Sequence, residues 1–518
     1  MKYLILFFAI LFSFSRTNAQ SKKNELASFS ELHFFSDAEK EFYTNIVEKK
    51  TDYFHTLACV DPSIGIGDAN SYYNRFELLL KKYDDPKWSG KKPPKKIKTL
   101  YNDIHETFFD QYEEKNMFSD IFKAGKYNCV SATGMYAVAL SELRIPYVIK
   151  EEPTHVYIVA FPETDQIVVE ATNPSAGYRQ YSTVFKKDFV DRLTKVKLIG
   201  SEEAASKTTE ELFEKYFFTK KNIELQELVA IQYYNDALYK MEDGDFKTAF
   251  LQLEKSYYLY PSERIGYLTY INATALLDKL SYQDEDYVPT ILKLARYEKF
   301  GVSNEMIIGE YSNIINHLLF EKSDVTKNDT LYSEFYSAIE DSTYHNEIDY
   351  VYFYETGRFY YTQGNYEKAL KYVAGAYKVK PDNVQVQTFL IAAIGNKLNG
   401  IQDIERANIV VNAYFDSYPK LIENSNFKRM VVTAKLELAS YYFYKKIPSK
   451  AKACLNEFEE IDLGHLKPDE SAISKVYSSA ALYYYQKGAV STARSYLNKG
   501  LTYYPNDFNL NRMLKMMH

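Results

Sequence analysis

The chain has 518 residues, 46% of them apolar and 25% charged, with a formal net charge of -6. That balance excludes a disordered chain, and the small net charge gives neither the basic surplus of a nucleic-acid binder nor an acidic solvating tail. A chain of this length is expected to form two or three hydrophobic cores.

The first residues set up an exported protein. Met1-Lys2 precedes an apolar run from Tyr3 to Phe14, and Ser15 to Ala19 follow before Gln20. A positive start, a short apolar centre and a small residue at Ala19 fit a secretory signal peptide over 1–19, since the run is too short to span a bilayer comfortably. No cysteine sits near the cleavage point to carry a lipid anchor, and no later segment is long and apolar enough to cross a membrane. The mature protein is therefore expected in the periplasm or outside the cell. Three cysteines, Cys59, Cys129 and Cys454, are too few for a disulfide framework.

Residues 20–95 read as a helical segment and linker. Phe42, Ile46, Tyr53, Phe54 and Leu57 recur at helical spacing, a break falls at Asp61 to Gly67, and a further helix is predicted over Ser71 to Lys82. The run Lys91-Lys92-Pro93-Pro94-Lys95-Lys96 is predicted to be a solvated linker, because no aromatic residues interleave it. With 50 tyrosines against 19 glycines and 15 prolines, the whole composition favours long helices packed through aromatic rings.

Residues 96–207 form the next predicted domain. Leu100, Ile104, Phe108 and Phe109 give an amphipathic helix over Lys96 to Tyr112. From Cys129 to Leu143 nearly every side of the helical pattern is apolar, so this helix is buried, and Ile145-Pro146 ends it. Strands are predicted at Tyr147 to Ile149, His155 to Phe161 and Gln166 to Glu170, with Pro162 to Asp165 as a turn. If that turn closes a hairpin, Phe161 faces Gln166 and Tyr157 faces Glu170, which sets His155 diagonally beside the Glu170 carboxylate.

Chemistry concentrates at the start of the buried helix. Asn128 can cap it, and the free amides and dipole at that end favour a thiolate at Cys129. Thiol acyl transfer needs a thiolate, a base that returns a proton to the leaving group, and a group that orients the base; Cys129, His155 and Glu170 supply these in order. The competing readings of Cys129 are an inert buried thiol or a disulfide with Cys59. Glu151, Glu152, Glu163 and Asp165 read as solvent-facing turn residues that a substrate could still touch. No cofactor is expected, and no metal, because the remaining histidines and cysteines lack ligand spacing.

The stretch from Gly125 to Pro146, followed by Pro153-Thr154-His155-Val156-Tyr157-Ile158 and Glu170-Ala171-Thr172-Asn173-Pro174, resembles the transglutaminase-like cysteine peptidase superfamily over about Lys96 to Tyr178. The resemblance implies that Cys129 is the nucleophile, His155 the general base and acid, Glu170 the orienting carboxylate, and the Cys129 amide one oxyanion donor. The chain departs from the family in carrying glutamate where aspartate is usual, and Val156 where an aromatic often follows the histidine.

Residues 208–518 read as helices to the end. Gly244, Gly364 and Gly488 are each followed by an alanine five residues on (Ala249, Ala369, Ala493) and a proline seventeen on (Pro261, Pro381, Pro505). These residues resemble the tetratricopeptide repeat, best over Tyr361 to Leu370, although the glycines are not spaced by whole multiples of roughly 34 residues, so irregular pairs must intervene. One is expected around Tyr441, Tyr442, Ala451 and Leu455. The expected fold is an α+β papain/transglutaminase-like core joined to an all-α TPR-like solenoid, mostly helical overall. The expected function is an exported thiol-dependent peptidase or amidase acting on peptide or isopeptide amides, with repeats that recruit a protein or peptide. The alternative is an inactive transglutaminase-like protein serving as a TPR scaffold.

Overall fold

The computed structural model describes residues 26–50, 52–152, 155–172, 178–180, 183–195, 199–217 and 221–517. The signal-peptide segment 1–19, Pro153-Thr154 and Asn173-Pro174 lie outside the described residues. The chain is mostly helical and divides into two compact units, 1–303 and 304–518, so position 207/208 falls inside the first. Among the described residues no helix is long and apolar enough to cross a membrane.

The first unit opens with helices α1 (Asp37–Val47), α2 (Tyr53–Cys59) and α3 (Ile66–Leu80). Ser36 caps α1 by accepting from the Glu39 amide at 3.1 Å, and Asp52 caps α2 by accepting from the His55 amide at 3.3 Å. Helix α3 starts five residues before the predicted Ser71, directly after Gly65. A short helix, Pro86–Ser89, buries Trp88 against Tyr83, their rings 4.3 Å apart.

Helix α4 (Pro93–Phe108) recruits part of the run expected to be a linker: Pro93 and Pro94 occupy the first turn, where a helix needs no donated amide. It stops four residues short of Tyr112, which with Gln111 forms β1, parallel to β2 (Lys126–Tyr127). Between them Gly125 takes φ +68, and a Cβ there would lie 2.7 Å from Asp110 Cβ, so only glycine fits this step into β2.

Helix α5 (Cys129–Glu142) is buried along almost its whole length. It is closed by Arg144 in the left-handed region (φ 51), with the Ile145 amide donating back to the Leu140 carbonyl at 2.9 Å. The chain therefore turns just ahead of Ile145-Pro146, and the proline follows the stop.

An antiparallel five-stranded sheet runs in the order β6-β5-β4-β3-β7, from β3 (Tyr147–Glu151), β4 (Val156–Ala160), β5 (Ile167–Val169), β6 (Tyr178–Gln180) and β7 (Lys221–Ile223). The pairs Ile158↔Val169, Val159↔Val168 and Ala160↔Ile167, continued one step each way, set Tyr157 opposite Glu170 and Phe161 opposite Gln166. Tyr157, Val159 and Val168 bury themselves with Val190, Leu212 and Phe213 from the helices Thr183–Lys195 and Thr209–Phe217. Helix α5 lies along β4, and Thr133 Oγ1 donates to the Val156 carbonyl at 3.2 Å.

Helices α6 (Leu225–Glu242), α7 (Phe246–Leu259) and α8 (Glu263–Leu277) follow in the first unit. The second unit contains the pairs α9 (His345–Thr362) with α10 (Tyr366–Val379), then α11 (Ile404–Ser417), α12 (Ser425–Tyr444) with α13 (Pro448–Glu459), and α14 (Glu470–Gln486) with α15 (Val490–Tyr503). Four turns share one design: Gly244, Gly364, Lys446 and Gly488 have φ between 57 and 81. The amide of the next residue then donates five residues back, Asp245 to Lys240, Asn365 to Tyr360, Ile447 to Tyr442 and Ala489 to Tyr484. Five residues after each turn residue stands a fully buried alanine, Ala249, Ala369, Ala451 or Ala493, that lets the paired helices approach. The α12/α13 pair is the irregular pair expected around Tyr441 to Leu455, and a lysine replaces its glycine.

Candidate active site

Asn128 holds the start of α5 by reciprocal capping. Its Oδ1 accepts from the Val130 and Ser131 amides at 3.0 and 2.9 Å, and Ser131 Oγ accepts from the Asn128 amide at 2.9 Å. Asn128 Nδ2 donates to the Glu114 and Asn116 carbonyls at 3.0 and 3.2 Å, while Ser131 Oγ donates to Asn116 Oδ1 at 2.6 Å. The loop between β1 and β2 thereby fixes the helix start, and the cap engages the amides after Cys129 rather than that of Cys129 itself.

Cys129 is half-buried, and all three thiols are free, so the competing Cys59–Cys129 disulfide is absent. His155 precedes β4, and its Nε2 lies 3.0 Å from Glu170 Oε2. That bond comes from the hairpin register, which brings His155 diagonally beside Glu170. Glu170 is itself fixed from the other side: Oε1 accepts from the Thr172 amide at 3.1 Å and from Thr172 Oγ1 at 2.7 Å. With Nε2 committed to the carboxylate, Nδ1 is the ring nitrogen left for a second partner.

The electrostatics follow from these contacts. Hydrogen bonding to Cys129, then to Glu170, pushes the His155 pKa up to about 10, against the opposing effect of burial. For Glu170, burial is the largest influence and pushes its pKa up, but the hydrogen bonds from His155 and Thr172 outweigh it, and the carboxyl stays below its usual range. Both effects favour a protonated imidazole beside an ionised carboxylate.

Cys129 and His155 line a cavity of about 320 Å³, at the small end of ligand-binding sites. Its facing wall is α6, through Ile231, Tyr234 and Leu238. Glu151 and Arg264 line the same cavity: Glu151 Oε1 accepts from Arg264 Nη2 at 2.7 Å, Oε2 accepts from the Tyr260 hydroxyl at 2.6 Å, and the guanidinium stands 5.0 Å from the Tyr234 ring centre. Glu151 is therefore no solvent-facing turn residue. It ends β3 with a side chain only 11% exposed, and Glu152 beside it also lines the cavity. Glu163 is exposed in the β4–β5 turn and Asp165 is half-buried there. Sequence reading anticipates the closeness of His155 and Glu170 through strand register. It misses the α6 wall and Arg264, which come from about a hundred residues further along the chain with no local signal; the only hint is that α6 is apolar on more than one face.

No family model and no curated protein matches the chain. Solved structures with some likeness include a tetratricopeptide repeat protein from Parabacteroides merdae ATCC 43184, 13% identical over 56% of this chain and 98% of that one, TM-score 0.17. Another is the human IFIT1 dimer with m7Gppp-AAAA, 14% identical over 85% of this chain and 89% of that one, TM-score 0.18. A third is the APC/C hetero-tetramer Cut9-Hcn1, 12% identical over 92% and 90%, TM-score 0.18. Likeness this low carries no conclusion about fold or function, and the helical-pair architecture rests on the chain's own turns and alanines.

Proposed function

We propose that the first unit is a thiol-dependent acyl-transfer enzyme of transglutaminase-like cysteine peptidase type, acting on peptide or isopeptide amides, and that the helical pairs bind the protein or peptide it acts on. The observation that carries this reading is His155, held by Glu170 Oε2 at 3.0 Å and lining one cavity with Cys129. The Cys129 sulfur, its proton on His155, attacks the amide carbonyl and forms a C–S bond, and the oxyanion is stabilised by the start of α5. His155 then gives the proton to the leaving nitrogen as the C–N bond breaks. Water, deprotonated by His155, attacks the thioester, and the thiolate leaves. The α6 wall narrows the cleft to an extended segment or a single side chain.

The second reading is a binding scaffold without turnover. Its support is the share of the chain given to helical pairs, with α6 of one pair itself walling the thiol cavity. Incubation with a library of N-blocked peptide amides, analysed for cleaved products, separates the two. The enzyme reading expects products from the wild type and none from Cys129→Ser. A scaffold gives no products from either while retaining peptide binding.

A further inference from the structure

The second unit carries a larger groove, of about 670 Å³, among α11, α12, α13 and the turn Pro419–Glu423. Its floor is apolar, from Phe415, Ile422, Val431 and Ile461, three of which remain partly open although they pack on a buried core. Around this floor stand five carboxylates, Asp416, Glu423, Glu457, Glu460 and Asp462, against two ammonium groups. Both ammonium groups are already engaged. Lys435 Nζ donates to Glu457 at 2.6 Å and to Asn412 Oδ1 at 3.4 Å, and Lys428 Nζ donates to the Asp462 carbonyl at 2.8 Å.

We propose that this groove docks an extended peptide segment of a partner protein in which arginine or lysine alternates with aliphatic residues. Charge complementarity selects the cation: carboxylates outnumber lysines five to two around the groove, and of the two lysines only Lys435 is bound to one of those carboxylates, Glu457. The floor selects its neighbour, because Phe415, Ile422 and Ile461 gain by covering an aliphatic side chain and offer nothing to a bare cation. The volume suits several side chains rather than one ion. This gives chemical content to partner binding by the repeats, and it does not depend on turnover at Cys129.

Fluorescence anisotropy on the full chain tests it, with a labelled peptide Gly-Leu-Arg-Leu-Arg-Gly as probe. The groove reading expects binding that weakens with salt, is lost when glutamates replace the arginines of the peptide, and falls about tenfold in the triple variant Asp416→Asn, Glu423→Gln, Glu460→Gln, as loss of the two exposed ion pairs made by the peptide's arginines would give. These three carboxylates are exposed, so the melting temperature of the triple variant should match the wild type. No binding, equal binding by the triple variant, or displacement by spermine as effective as by unlabelled peptide would each overturn the proposal. Because the assay reads binding alone, an inactive Cys129 leaves its outcome unchanged.

Discussion

Held between a sulfur and a carboxylate, the His155 imidazole gives the first unit a pH-dependent link. Its pKa is raised from 6.5 to about 10, so its stabilising contribution is complete below about 6.5 and disappears as pH rises through about 10. Glu170 behaves in the opposite sense: its pKa is lowered, so its contribution is present above 4.5 and lost as pH falls through the folded value. Thermal unfolding of wild type and His155→Gln should therefore differ most near the lower end of the 6.5 to 10 window and converge toward its upper end. A constant difference across that window would mean that His155 stabilises by packing alone. The thiols should also sort by environment. Burial pushes the Cys59 thiol up to about 12 and raises that of Cys454, whereas Cys129 opens onto its cavity. Iodoacetamide on the native protein should label Cys129 alone, and the other two only after denaturation; comparable labelling of Cys59 would show that the site is not selectively open.

At the level of elements, the helical pairs depend on a left-handed residue in a three-residue turn. At Gly364 (φ 72) that conformation is free of strain, while Lys446 adopts it (φ 57) with a side chain in the way. Gly364→Ala should destabilise the chain by about 1 kcal/mol, and Lys446→Gly should stabilise it by a similar amount, as read by urea unfolding. Glycine, alanine and proline at fixed offsets expose three pairs, and the fourth shows only through Tyr441, Tyr442, Ala451 and Leu455, because Lys446 stands where the others carry glycine. In the sheet, alternation and a four-residue turn suffice to set Tyr157 opposite Glu170, because a one-residue slip would turn every buried side chain outward. Glu151 is misread because its charge suggests solvent, whereas Arg264 and Tyr260, distant in sequence, satisfy it inside. Helix α4 ends early for a similar reason: Tyr112 is drawn into a parallel pair with Tyr127 that no local pattern announces.

Across the first unit, the α6/α7 pair is built into the core and is no appended module. Lys255 on α7 and Glu39 on α1 form a fully buried ion pair, Tyr233 donates to Glu39 Oε1 at 3.1 Å, and the Tyr43 hydroxyl donates to the Lys255 carbonyl at 2.8 Å. Burial lowers the Lys255 pKa, and the Glu39 charge opposes it. Glu39→Ala should cost about 3–5 kcal/mol by stranding the ammonium, and adding Lys255→Met should recover much of it. Recovery would show that α7 is held by shape and charge balance together. The same packing presents α6 to the thiol, so the cavity lined by Cys129 exists only when a helical pair and the Cys129 helix fold as one unit. The central claim is that Cys129, assisted by His155, forms an acyl-enzyme. Mass analysis of the chain after brief exposure to p-nitrophenyl acetate tests it most directly. The claim predicts one acetyl group on the Cys129 peptide of the wild type, none at that position in Cys129→Ser, and much slower uptake in His155→Ala; acetylation scattered over lysines, or uptake on Cys129 undiminished in His155→Ala, would contradict it.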